Sequence, residues 1–493
     1  MAEYKLLGKV GYKRSMTVQL PEKHITNQNI GLPKESYDQM IASKIKTYDS
    51  VVLLPHSCKT WKKMKEILVM ASEGNIKKPE DLYTSICELR KLSIGHSFDS
   101  FKTLKMILET DNPKFIESIL EIIPKIASMA LKIELYYPDG KIPCLSQSKQ
   151  NIVKFSKAEI SSIIANLFLC SMPTQKNLIT LEASFEGFYS TRSLEYIDLM
   201  KQKLRFIMNY FDSISISDMD SCITITRLSL IPSEYTRLNF PYWVASKSLL
   251  SLVEICEGKI EDKVDSVCID FANSYVGGGN DCLTEQEQVL FLIFPELFAA
   301  STVCEKMRDN ESVVIVGIEQ FSSYSGSGKN LICTGKYKDP LCEKKDNFSR
   351  IPRIIVAMDA MMEMHLIESH LKRDLAKAYI GFKGDTFIDE RESRPIATGR
   401  WGCGSFKGAS PIKFLIQWIA ASENCRKLQF HPFGDEQLKN LEVLINCFKG
   451  ETVGTLMIGI IKYMLSKVGE DKQGNMIFEW LIQNKQEILA NNE

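Results

Sequence analysis

The sequence predicts an α/β protein, a sheet covered by helices, with a helical N-terminal half. From Trp61 to about residue 214 stretches of apolar residues recur at intervals of three and four, the helical period. Beyond it, short runs rich in β-branched residues alternate with helical patterns, as helices packed on the faces of a sheet require. The chain has 493 residues, 44% hydrophobic and 25% charged. That is an ordinary globular composition, long enough for two or three domains and a large buried core.

Residues 1–50 are polar, rich in lysine and without a clear period, and are read as a leader or flexible arm. Residues 51–214 are read as helical: "WKKMKEILVMAS" and "FIESILEIIPKIASMALKI" repeat apolar positions at three and four. "FSKAEISSIIANLFLC" carries a helix start, with Ser156 as cap and Glu159 completing a capping box. "SLEYIDLMKQKLRFIMNYF" is a further amphipathic helix. Over residues 215–493, "CITITRLSL", "DSVCIDFA", "SVVIVGI", "RIIVAMDA" and "KLQFHPF" read as strands. Between them "QVLFLIF", "HLIESHLKRDLAKAYI", "PIKFLIQWIAAS" and "EQLKNLEVLINCF" read as helices. No internal repeat or low-complexity tract is present.

Several function classes drop out. Lys+Arg and Asp+Glu balance at 61 each, which gives no basis for non-specific grip on nucleic acid or anionic membrane. The 14 cysteines are scattered without a C-x-x-C pair, which argues against zinc ribbons and redox motifs and for reduced thiols in cytosol or nucleus. The N-terminus lacks the apolar run of a signal peptide, and the best membrane-span candidate, "IESILEIIPKIASMALKIELYY", is interrupted by Glu, Lys and Pro. His365 and His370 are five apart rather than the four of a helical zinc pair. "SGSGKN" around Gly326 fails the P-loop spacing and has Asn330 where Ser or Thr is needed. No G-x-S-x-G elbow occurs, and the methionines of "AMDAMMEMHL" read as core filling.

Two stretches share one plan of strand, glycine loop and helix. In "VGGGNDCLTEQEQVLF" (Val276 to Phe291) the strand "CIDFA" leads to Gly277, Gly278 and Gly279 and then to a helix. Thr284 as N-cap and Glu287 three residues on are expected to form its capping box. In "TGRWGCGSFKGASPIKFLIQW" (Thr398 to Trp418) the loop carries Gly402, Cys403, Gly404 and Gly408. Glycines let a backbone turn with positive φ and let an anion approach its N–H groups, and a helix N-terminus behind them favours negative charge. Two such loops at the rim of one sheet are placed to hold the paired phosphates of a diphosphate. The spacing is not G-x-G-x-x-G, so a Rossmann dinucleotide site is not supported. The plainer alternative is that the glycines only make turns and Glu287 only satisfies backbone donors.

The run "CIDFANSYVGGG", the following "QEQVLFLIFPEL", and "GIEQFSSYSG", "IATGRWGCGSFKG" and "FGDEQL" in the same chain resemble the catalytic domain of poly(ADP-ribose) glycohydrolases. The resemblance extends upstream through "CEGKIED" and "IANLFLCSMP" and covers residues from about 55 to 465. It implies a macrodomain-like mixed sheet flanked by helices, with a helical N-terminal extension. It implies a glycosidase that hydrolyses ribose–ribose bonds of poly(ADP-ribose) and releases ADP-ribose, without cofactor or metal. Poly(ADP-ribose) or ADP-ribose, on modified proteins or free, is the implied partner, and the DNA damage response in nucleus or cytoplasm the implied setting. By motif match, Ile260 and Glu261 lie along the adenine, Asp270 and Asn273 hold the ribose end, and Gly277 to Gly279 with Gly402, Cys403, Gly404, Ser405 and Phe406 cradle the diphosphate. Phe433 supplies an aromatic wall, and Tyr324 and Gln286 are further substrate-binding positions; Gln286, Glu287 and Gln288 occupy the signature triplet, with Glu287 and Gln288 at the catalytic positions.

Three positions depart from the family pattern. Gln288 stands where the family has the proton-donating glutamate, Ser327 where animal-type enzymes carry a lid tyrosine, and Arg400 where an asparagine is usual. Glycoside cleavage needs an acid on the leaving oxygen, and an amide donates no proton in that way at neutral pH. The alternative reading is therefore a protein that binds ADP-ribose or its polymer and cleaves it poorly or not at all. Glu285, on the same helix face as Gln288, and Asp281 in the loop are the other carboxylates nearby.

Overall fold

The computed structural model describes residues 50–96, 100–175, 185–189, 194–214, 221–278, 284–383, 394–467 and 470–490. Residues 1–49 of the leader, Gly279 and Asp281 lie outside the described residues. The strands are β1 (Val51–Leu53), β2 (Lys141–Pro143), β3 (Asn151–Ser156), β4 (Cys222–Ser229), β5 (Val253–Ile255), β6 (Val267–Ala272), β7 (Glu311–Gly317), β8 (Ser322–Ser325), β9 (Ile332–Lys336), β10 (Ile351–Asp359), β11 (Ile396–Gly399) and β12 (Leu428–His431). The longer helices are α1 (Trp61–Ser72), α2 (Pro79–Ile94), α3 (Lys102–Thr110), α4 (Pro113–Leu131), α5 (Lys157–Phe168), α6 (Ile197–Ser213), α7 (Gln286–Ile293), α8 (Glu368–Lys383), α9 (Ser410–Glu423) and α10 (Val453–Ser466).

Eight strands form one mixed sheet in the order β3-β4-β7-β10-β6-β11-β12-β5. The β3–β4, β4–β7 and β7–β10 pairs are antiparallel. From β10 across β6, β11 and β12 to β5 the pairing is parallel. The central strands are covered on both sides, so they read as near-continuous apolar runs, and the period of two divides their side chains between two cores. On one face Val313, Ile315, Cys268, Ala272, Ile355 and Ala357 belong to one apolar core with residues of α1 to α7. On the other, Val314, Val316, Val267, Ile269, Ile354 and Val356 meet α8, α9 and α10.

The helical half is thus continuous with one face of the sheet, and it also supplies the edge strand β3. β3 and β5 escape a reading from sequence: β5 has only three residues, and β3 runs straight into the α5 capping box, whose helical pattern dominates that stretch. The α5 start is as expected: the Glu159 N–H donates to Ser156 Oγ at 3.2 Å and the Ser156 N–H to Glu159 Oε2 at 2.7 Å. "SGSGKN" lies at the tip of the β8–β9 hairpin rather than between a strand and a long helix. Among the described residues no helix is long and apolar enough to cross a membrane.

The parallel strands β10, β6 and β11 are neighbours, and the residues that follow them, Ala360, Asn273 and Arg400, all line one cleft. A crevice outside the carboxyl ends of parallel strands is where α/β sheets bind ligands.

Candidate active site

The first glycine loop leaves β6 at Asn273. Asn273 Oδ1 accepts the Tyr275 N–H at 3.1 Å, and the Gly278 N–H donates to Tyr275 O at 2.6 Å, closing a turn with Gly277 at φ +74°. Both described glycines are required by space. A Cβ on Gly277 would stand 2.5 Å from the Phe291 ring, and one on Gly278 2.4 Å from Tyr275 O.

The start of α7 differs from the expectation of a Thr284–Glu287 capping box. The helix begins at Gln286 with Glu285 as N-cap, and the Glu285 N–H donates to Gln288 Oε1 at 3.2 Å. Thr284 Oγ1 instead donates to Gly328 O in the β8–β9 hairpin. Glu287 is drawn elsewhere: its Oε2 accepts the Asn273 N–H at 3.0 Å and its Oε1 the Gly277 N–H at 2.6 Å. A carboxyl whose two oxygens each accept a backbone N–H satisfies two buried donors, where a cap contact would satisfy one. The N–H groups of Gly277 and Gly278 are therefore engaged within the protein, and this loop contributes shape rather than open donors.

Gln286 has a separate task. The Val267 N–H reaches Pro395 O, and β6 pairs with β11 only at Val267 and Cys268. Beyond that point the strands part, and the Gln286 amide takes up the vacated edge. Its Nε2 donates to Ile269 O at 3.0 Å and its Oε1 accepts the Phe271 N–H at 2.9 Å.

Behind this loop lie two buried carboxyls. Asp270 is fully buried and neither of its oxygens has a hydrogen-bond partner among the described residues. Burial pushes its pKa up to about 8. Glu287 is 4% exposed, and burial, then the charge of Asp270, raises it well above the carboxylate range against the pull of its two N–H donors. Desolvation dominates because a charge in low dielectric has lost its water, and a second like charge compounds the penalty.

The second loop follows β11. Gly402 sits at φ +75°, where a Cβ would stand 2.4 Å from Ala360 Cβ. The Cys403 N–H donates to Arg400 O at 3.0 Å and the Gly408 N–H to Gly402 O at 2.9 Å. The Gly404, Ser405 and Phe406 N–H groups meet no protein acceptor among the described residues. Three successive open N–H groups make an anion-binding concavity. Across the cleft Glu285 Oε1 accepts the Ser405 hydroxyl at 2.8 Å, so the two loops are tied together through side chains.

The cleft encloses about 780 Å³, including the part open to solvent. Of the residues read from sequence, Asn273, Gly278, Gln286, Glu287, Gln288, Gly402, Gly404, Ser405 and Phe406 line it. The others stand behind or beside it. Ile260 is buried in the core, and the buried Glu261 accepts the Tyr324 hydroxyl at 2.5 Å. Burial raises Glu261, offset in part by that hydroxyl. Cys403 is turned away toward Trp401 O, its thiol raised by burial. Phe433 is 53% exposed at φ +52°, stacked at 5.8 Å on His431 and abutting Gly399 at the end of β11. Sequence reading did not place Trp401 or Ala360 in the cleft. Trp401 is fully buried with Nε1 donating to Met358 O at 2.9 Å, and its place beside Gly402 was the available signal. Among the described residues no group of three or more His, Cys, Asp and Glu is arranged to hold a metal.

Two family models match the chain. Residues 108–227 match the poly(ADP-ribose) glycohydrolase helical domain, and residues 240–440 the Macro domain fold of the same glycohydrolase. Poly(ADP-ribose) glycohydrolase 1 of Arabidopsis thaliana is 27% identical over 454 residues, covering 73% of this chain and 81% of that protein. Poly(ADP-ribose) glycohydrolase 1 of Caenorhabditis elegans is 34% identical over 341 residues, covering 65% of this chain and 41% of that protein. Poly(ADP-ribose) glycohydrolase 2 of the same nematode is 30% identical over 325 residues, 62% of this chain and 63% of that one. With a helical domain and a Macro-fold domain matched in the family's order on one continuous body, the chain belongs to the poly(ADP-ribose) glycohydrolase family.

Proposed function

We propose that the protein hydrolyses ribose–ribose glycosidic bonds of poly(ADP-ribose) and releases ADP-ribose. The observation that carries the reading is the shared cleft: Gly278 and the open N–H groups of Gly404 to Phe406 face a space that also contains Glu287. The donors fit a diphosphate, and the buried carboxyl fits proton transfer. Because burial and Asp270 favour its neutral form, Glu287 enters the reaction as the acid. Its hydroxyl oxygen can accept a backbone N–H and still direct its proton into the cleft. That proton passes to the leaving ribose oxygen as the bond to the anomeric carbon breaks. Water then attacks the anomeric carbon and returns a proton to Glu287.

Gln288 supports a second reading, binding without turnover. It stands at the family's acid position, its Oε1 accepts the Glu285 N–H, and an amide donates no proton. One assay separates the two. Purified protein is incubated with labelled poly(ADP-ribose), alongside Glu287→Gln and Gln288→Glu, and ADP-ribose binding is measured in parallel. Release of ADP-ribose by the wild type, reduced ~10²–10⁴-fold in Glu287→Gln, supports hydrolysis. Binding without release, with release gained in Gln288→Glu, supports the second reading. Absence of ADP-ribose binding by the wild type overturns both.

A further inference from the structure

Arg400 is the one positively charged side chain among the described residues lining the cleft, which the Glu285 carboxylate also lines. Its stem is held from behind. Asp435 Oδ2 pairs with Arg400 Nε at 2.7 Å, and the same nitrogen lies 3.4 Å from Ser410 Oγ. Asp435 is itself fixed: it accepts the Ser410 hydroxyl at 2.5 Å and the Gln437 N–H at 3.0 Å. The guanidinium is thus anchored through one nitrogen. Its two terminal amino groups make no hydrogen bond among the described residues, and the side chain is 38% exposed. A planar fork held at one edge leaves two parallel donors for a planar or tetrahedral anion. The open N–H groups of Gly404, Ser405 and Phe406 lie in the same cleft.

We propose that Arg400 is a specificity-determining residue that pairs through its terminal amino groups with a phosphate of the diphosphate held by the second glycine loop. Arg400 selects phosphate-bearing ligands over neutral ribosides and retains the polymer by charge. Asp435 acts through Arg400 as a positioning residue. The inference rests on the ADP-ribose reading of the cleft, and the probes are chosen to separate the two.

Titration calorimetry is run with ADP-ribose, adenosine and inorganic pyrophosphate at low and high salt. The proteins are wild type, Arg400→Asn, Arg400→Lys and Asp435→Asn, with a thermal melt of each. A charged hydrogen bond contributes on the order of 1.5–3 kcal/mol, so Arg400→Asn is expected to weaken ADP-ribose binding ~10–100-fold. Its salt dependence flattens and adenosine binding is unchanged. Arg400→Lys keeps a point charge without the fork and falls between. Asp435→Asn frees the guanidinium without removing its charge and also falls between; a purely structural role predicts instead that loss of affinity follows the loss of melting temperature across all variants. ADP-ribose binding by Arg400→Asn within about twofold of wild type at both salts would overturn the inference and leave the cleft assignment standing. Failure of the wild type to bind ADP-ribose or pyrophosphate removes both.

Discussion

Replacing Gln286 by leucine removes both hydrogen bonds that close the gap between β6 and β11 while keeping an apolar stem of similar bulk. The Ile269 carbonyl belongs to a fully buried residue, and the Phe271 N–H to a partly buried one at the cleft wall. An orphaned buried backbone group costs about 1–3 kcal/mol. The carbonyl falls at the upper end of that range and the N–H, reachable from the cleft, at the lower, giving a loss of ~2–4 kcal/mol. At about 2–4 °C per kcal/mol for a domain of a few hundred residues, the melting temperature should drop by roughly 5–15 °C. Gln286→Glu keeps an acceptor for Phe271 but sets carboxylate oxygen against the Ile269 carbonyl, so it should melt no higher than the leucine variant. Thermal melting is paired with amide hydrogen exchange, because the exchange of the Phe271 amide reports local opening directly. If Gln286→Leu melts within a degree of wild type and Phe271 stays equally protected, the amide is not bridging the strand edge and the account of how the cleft is held open is wrong.

Three further outcomes follow from the same geometry. Asp270 is raised to about 8 against an unfolded value of ~3.9, so between those values the folded chain holds a proton that the unfolded chain releases. Its stability contribution is therefore present below about pH 4 and lost as pH rises toward about 8, and Asp270→Asn should flatten the fall in melting temperature between pH 5 and 9. Gly402→Ala meets both a left-handed φ and Ala360 at 2.4 Å, and should lose roughly 2–4 kcal/mol. Gly404→Ala meets only the mobile end of Glu285, at 2.9 Å, and should melt within ~0.5 kcal/mol of wild type; equal melting of the two variants would refute the distinction. Lys157, 1% exposed, lies between Glu296 at 3.3 Å and Glu319. Lys157→Met should destabilise by ~3–5 kcal/mol, and adding Glu296→Gln should recover part of it, as a double-variant melt will read.

The layout is written in residue order. Helical periods over α1 to α6 and apolar runs for β4, β6, β7 and β10 are local signals, since burial on one stripe or on both faces writes itself into residue order. The two glycine loops were equally legible, because Gly277 and Gly402 hold positive φ and admit no Cβ, a constraint that acts within a few residues. Which side chain answers which donor emerges from contacts between distant segments. Glu287 looked like a cap for its own helix and serves the loop ten residues earlier, while Gln288 takes the cap contact. Gln286 completes the edge of a strand, and Arg400 is aimed by an aspartate 35 positions away. The Glu287, Gln286 and Arg400 pairings join residues 10, 15 and 35 positions apart. Folding the chain into one sheet brings them to a common rim, and no window of neighbouring residues records that.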